Sequence, residues 1–166
     1  MKTAQIRFVK QHLEAAFEAG NTFNMNPAVI LAQAALESGW GTSRLSKEQH
    51  NYFGLTAYGC SNAYWHGERK EVSTATYTLY FRCYDSPLHS FLDFARLIRN
   101  GYRSAWQVSH YAEAYAKEIA YSRYITEANG DNREQYRRSL VQLSHQVAAI
   151  IQLITQPIQY EYEDED

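Results

Sequence analysis

Ala32-Gln33-Ala34-Ala35-Leu36-Glu37-Ser38-Gly39-Trp40-Gly41 carries a single carboxylate in an otherwise apolar run. Upstream, Asn26 suits a helix cap, and Pro27 suits a first turn, where its missing N–H is not needed. Gly39 and Gly41 let the chain leave the helix sharply. Between these signals, Val29, Ile30, Leu31, Ala34, Ala35 and Leu36 point in nearly every direction around the axis. A helix that is apolar all round belongs in a core. At the helical period Glu37 falls on the face of Ile30, Gln33 and Ala34. A carboxylate at the buried end of such a helix loses hydration, which raises its pKa and suits it to general acid work. The same residues also fit a plainer reading, a helix-end glutamate turned to water or paired with Arg44.

The chain has 166 residues, which is one domain with a sizeable core. Its 45% hydrophobic and 20% charged content is that of an ordinary globular protein. A formal net charge of −2 leaves no electrostatic footprint for nucleic acid. No stretch reaches the ~20 apolar residues of a membrane span, and Met1 to Arg7 lacks the apolar run of a secretory signal. Cys60 and Cys83 fit either a disulfide or two free thiols, and no zinc spacing occurs among the cysteines and six histidines.

Ile6, Val9, Leu13, Ala16 and Phe17 recur at helical spacing and predict a first amphipathic helix, followed by a loop over Gly20–Asn26. From about 46 to 84 the helical period fades. There Glu71–Thr76 and Thr78–Tyr84 read as short antiparallel strands. Asp85-Ser86-Pro87 starts a helix with Phe91, Phe94, Ala95 and Ile98 on one face, and another helix is expected over Ala112–Ala120. A break at 129–132 precedes the last helix, whose start resembles a capping box of Asp131 and Glu134 and whose apolar stripe runs from Tyr136 to Ile154. The expected fold is α+β, mostly helical, with a small antiparallel β-lobe at about 46–84. Residues 1–156 form the single domain, and 157–166 an acidic tail.

Several segments in order carry a resemblance. Glu37-Ser38-Gly39-Trp40-Gly41 continues through Gly41-Thr42-Ser43-Arg44-Leu45 to Asn51-Tyr52-Phe53-Gly54. Trp65-His66-Gly67, Glu71-Val72-Ser73-Thr74, Phe81-Arg82-Cys83-Tyr84-Asp85-Ser86 and Arg123-Tyr124-Ile125-Thr126 follow, with Tyr136 after them. Over about residues 6–150 the chain resembles the family-73 glycoside hydrolases, the glucosaminidase domains that cut peptidoglycan in flagellar-rod muramidase-type proteins, autolysins, Bax-like proteins and phage lysins. At Tyr124 the match departs from the family's Tyr-Ala-Thr-Asp, since Ile125 follows the tyrosine and no aspartate follows Thr126.

The resemblance implies a lysozyme-like core and an endo-β-N-acetylglucosaminidase that cleaves the GlcNAc-β-1,4-MurNAc bond. It implies Glu37 as general acid and Glu71 as the assisting β-lobe carboxylate, with Glu68 as the fallback and no cofactor or metal. Tyr124, Asn51, Phe53, Trp65 and Glu68 become candidate substrate-binding residues, and Trp40 a buttress for Glu37. The expected partner is the peptidoglycan glycan strand, met at the cell wall or periplasm by a monomer. A chain without a signal would arrive there by lysis or through a secretion apparatus, or with its signal already removed. Two other functions fit the same glutamate. A lytic transglycosylase needs one carboxylate and makes an anhydro sugar, whereas a glycan-binding domain needs none. No GxSxG elbow, P-loop or dinucleotide pattern competes.

Overall fold

The structure is a computed structural model, and it describes residues 2–157; the expected acidic stretch Glu161–Asp166 lies outside them. Helix α2 (Pro27–Ser38) is the axis of the fold. The Asn26 side chain accepts the Ala28 N–H at 2.9 Å, and Pro27 fills the first turn. Val29, Ile30, Leu31, Ala32, Gln33 and Ala34 are fully buried, as its all-round apolar sequence requires. Helices α1 (Thr3–Phe23) and α7 (Arg133–Thr155) pack on α2. Helix α4 (Pro87–Gly101), capped by Ser86, packs on α1, and α6 (Ala112–Ala120) packs on α7.

Two local expectations are corrected. The expected loop at Gly20 is helical, because α1 runs on to Phe23 and ends at left-handed Asn24. Gly20 is needed for close approach, since a Cβ there would lie 2.6 Å from the Met25 carbonyl. Asn132, not Asp131, caps α7 by accepting the Gln135 N–H at 2.9 Å. Two short helices, α3 (Arg44–Gln49) and α5 (Arg103–Gln107), also occupy connections that carry too few residues for a periodic signal.

The expected strands pair antiparallel as β1 (Arg69–Ser73) and β2 (Thr78–Arg82), with Glu71 opposite Tyr80. Every residue of β1 is exposed, so the hairpin holds almost no core. It is fastened at its base instead. Asn51 donates to the Leu55 and Arg82 carbonyls and accepts the Leu55 N–H, which locks the turn into the lobe. Asp93 on α4 is fully buried and collects Arg82 Nη1 and the Tyr84 hydroxyl, both at 2.6 Å, together with Asn62 Nδ2 and Arg96 Nε, both at 2.9 Å. Burial alone would raise the Asp93 pKa, but Tyr84 and the two guanidinium groups hold it below the usual carboxylate value. Cys60 and Cys83 are both free thiols, so the disulfide option is not taken.

Removing one member of a buried ion pair strands the other. Asp93→Ala is therefore expected to cost about 3–5 kcal/mol of stability in urea denaturation, because Arg82 keeps its burial and loses its carboxylate.

Candidate active site

Glu37 occupies the last turn of α2, immediately before the chain turns away. That turn is tightly made. Gly39, Trp40 and Gly41 are all left-handed, and the Ser38 hydroxyl donates to the Ala34 carbonyl at 2.6 Å while accepting the Gly41 N–H at 2.8 Å. A side chain on Gly41 would press on the Phe8 ring, 3.3 Å from the position of a Cβ. Trp40 packs edge-on against the same ring, at 5.6 Å between centroids.

The carboxyl of Glu37 faces a cleft of about 1190 Å³ between the helical body and the lobe. Its oxygen Oε1 accepts the Tyr136 hydroxyl at 2.7 Å. Burial raises the pKa of Glu37 above the ordinary value; the Tyr136 bond opposes this, and the charge of Asp131 adds to it. The negative end of the α2 dipole acts in the same direction as burial. Arg44, the partner required by the plainer reading, pairs instead with Glu48 at 3.4 Å. Glu37 is thus half-buried at the cleft wall and is not salt-bridged to Arg44.

A shell of polar rings surrounds this carboxyl. One turn earlier on α2, buried Gln33 accepts the Tyr115 hydroxyl at 2.6 Å. Tyr124 lies between Tyr102 and Tyr136, with centroids 5.5 and 6.5 Å away. Burial, and then the proximity of Glu37, pushes the Tyr115 and Tyr124 hydroxyls above their ordinary pKa; for Tyr136 the effect of Tyr124 comes between the two. These hydroxyls stay protonated, and Tyr136 donates to Glu37 and Tyr115 to Gln33.

The structure brings Tyr124 and Phe53 into the cleft with Glu37, Phe53 stacked on Phe94 at 3.9 Å. It places the other expected residues outside the cleft lining. Asn51 is buried in its turn, and Trp65 is buried under Arg82, whose guanidinium lies 4.1 Å over its ring. Glu68 and Glu71 are exposed, and Glu71 accepts the Ser73 hydroxyl at 3.4 Å. The carboxylate that does share the cleft with Glu37 is Asp131, which the sequence reading took only as a helix cap. Tyr136 was visible as a family match and as part of the apolar stripe, but no spacing announced its bond to Glu37. Among the described residues, no group of three or more His, Cys, Asp or Glu side chains is placed to hold a metal ion, and no helix is long and apolar enough to cross a membrane.

A half-buried carboxyl with a raised pKa, held at a helix end and open to a cleft, suits the acid chemistry of a glycosidase. The glucosaminidase family model, described as mannosyl-glycoprotein endo-beta-N-acetylglucosaminidase, matches residues 13–149. The chain belongs to this family of glycoside hydrolases. It is 31% identical over 140 residues to the peptidoglycan hydrolase FlgJ of Salmonella typhimurium, covering 76% of this chain and 41% of that protein. The chain therefore spans about two-fifths of the length of that relative. The solved glycoside hydrolase domain of the same FlgJ superposes with a TM-score of 0.69 at 28% identity, covering 93% of each chain. The catalytic domain of the autolysin Auto from Listeria monocytogenes gives 0.68 at 25% identity, covering 90% of this chain and 89% of that one.

Because the folded state favours protonated Glu37, its contribution to stability is full below the ordinary carboxyl value and is lost as pH rises through the raised value. At neutral pH, Glu37→Gln removes that cost. Calorimetry is expected to show a higher Tm, by about 2–4 °C for each kcal/mol recovered.

Proposed function

We propose that the chain is a peptidoglycan hydrolase, an endo-β-N-acetylglucosaminidase that cleaves the GlcNAc-β-1,4-MurNAc bond with Glu37 as general acid. The observation that carries this reading is the Glu37 carboxyl, raised by burial, hydrogen-bonded to Tyr136 and open to a cleft that can hold a glycan strand. Membership of the glucosaminidase family and the likeness to a relative named as a peptidoglycan hydrolase support it.

Cleavage needs a proton on the leaving oxygen and support for an oxocarbenium-like centre. Glu37 gives the proton. Tyr136 holds the carboxyl in one orientation and stabilises the carboxylate left after transfer, while Tyr124 stands ready for a sugar oxygen. Glu71 is the assisting carboxylate. It rides on the exposed hairpin, outside the cleft lining, and this role requires the hairpin to carry it to bound glycan. Glu68, at the base of the hairpin, is its fallback. Carboxyls about 5 Å apart in the complex would act by retention and about 6.5–9.5 Å apart by inversion through a water, while attack by the substrate's own acetamido group is the third route. Phe53 shapes the cleft floor, whereas Asn51 and Trp65 serve binding indirectly, by holding the lobe. The protein acts as a monomer on the glycan strands of the wall.

Mass spectrometry of products from purified peptidoglycan tests the reading. Wild type is expected to release reducing-end GlcNAc, with Glu37→Gln slower by about 10²–10⁴-fold and Glu71→Gln also impaired. Loss with Asp131→Asn but not with Glu71→Gln would move the assisting role to the carboxylate already in the cleft. Anhydro-MurNAc ends would instead mean a transglycosylase, and binding without products a glycan-binding domain.

Tyr136→Phe removes a bond that favours the Glu37 carboxylate, so the pKa of Glu37 rises further. A general acid works only while protonated. The alkaline limb of the kcat/KM profile is therefore expected to move to higher pH in this variant.

A further inference from the structure

Two arginines in the cleft wall share one aspartate, and they are not equivalent. Every nitrogen of Arg82 is engaged. Its Nε donates to the Thr56 carbonyl at 3.1 Å, Nη1 to Asp93 Oδ2 at 2.6 Å and Nη2 to the Tyr58 carbonyl at 2.6 Å, while its face covers Trp65. Arg96, nearly one turn along α4 from Asp93, places one edge on that carboxylate, with Nε and Nη2 each 2.9 Å from Oδ1. A guanidinium has five donors in a rigid fork. The Nη1 donors of Arg96 meet no acceptor among the described residues, although the group lines the cleft and its side chain is 25% exposed. The local charge is unbalanced as well: two guanidinium groups face one buried carboxylate, which leaves an excess positive charge at the wall. Asp93 fixes the plane of this guanidinium, so the unused edge is held in place before any ligand arrives.

We propose that Arg96 binds a carboxylate of the substrate, carried by its N-acetylmuramic acid unit. This rests on the glycan reading above and adds a preference within it. In a peptidoglycan strand the GlcNAc sugars are neutral, and acidic groups enter only through the muramic unit: the lactyl carboxylate of a bare glycan, or the carboxylates of the attached peptide stem. A planar carboxylate against the free edge of a guanidinium is the strong, directional pairing that this group is built for. Arg96 is then the residue that distinguishes muramic-containing glycan from a neutral chitin-like one.

The test compares four substrates: intact peptidoglycan, glycan stripped of stems by an amidase, and both after their carboxylates are converted to methylamides. The readout is the ratio of kcat/KM on the native form to that on the neutralised form. Wild type is expected to show a ratio of about ten or more on at least one pair, the size of a charge-assisted hydrogen bond. The stripped pair alone would point to the lactyl group, and the intact pair alone to the stem. In Arg96→Gln the ratio is expected to fall to about one, while Arg96→Lys keeps part of it. A wild-type ratio near one on both pairs overturns the proposal, and needs no variant to fold. So does an Arg96→Gln ratio equal to that of wild type. Failure of wild type to release product from any of the four substrates would instead overturn the hydrolase reading itself, and this proposal with it.

Discussion

The buried carboxylate of Asp93 is the interaction on which the two-part form of the molecule depends. It takes hydrogen bonds from the loop at Asn62, from Arg82 at the end of β2, from Tyr84 just after it and from Arg96 on its own helix. The hairpin offers little apolar surface to the body, since β1 is exposed throughout, whereas Tyr52, Phe53 and Leu55 at the base of the lobe join the core. The polar clamp therefore fastens the part of the lobe that the hydrophobic contacts do not reach. The clamp is demanding, because a charge in the interior is tolerated only when its oxygens are fully engaged. Here they are, and the cleft exists because one wall is tied to α4 and the other is α2.

Glu37 follows the opposite logic. Asp93 is held in its charged form by four donors, whereas Glu37 accepts one phenol in a setting where burial dominates. Two carboxyls in one small protein are thus pushed in opposite directions by their surroundings. The first fastens the architecture and the second carries the proposed proton transfer. Such divergence marks out which acid is structural and which is reactive more firmly than either position in the chain.

How much of this was legible depended on how local the cause was. Helix α2 was readable because its punctuation (Asn26, Pro27, Gly39) and its apolar circumference lie within one short stretch. The hairpin was readable from β-branched and aromatic runs. The Asp93 clamp was not, because its partners come from three separate segments and only Arg96, three residues along the same helix, stands at a spacing that joins it to Asp93. Tyr136 is instructive in a different way: the ring serves the apolar stripe while the hydroxyl serves Glu37, so a pattern that sees only hydrophobicity records half of its role. Trp65 and Asn51 read in the sequence as substrate-binding candidates, yet their contacts lie within the lobe rather than in the cleft lining. The misplaced cap at Asp131 was a matter of one residue, but that residue faces the cleft instead of closing a helix.

The bareness of the hairpin has a consequence for how such a protein can change over time. Substitutions at exposed positions away from caps and ion pairs alter stability little, usually by less than about 0.5 kcal/mol. Most of the surface from Arg69 to Tyr80 is of this kind, while its fastenings at Asn51, Arg82 and Asp93 sit in the interior. Apart from Glu71, the hairpin can therefore be rewritten residue by residue, lengthened or recharged with little loss to the body that carries it. Stability is stored in one part of the molecule and variability in another, and the polar side chains at the hairpin's base mark where one gives way to the other.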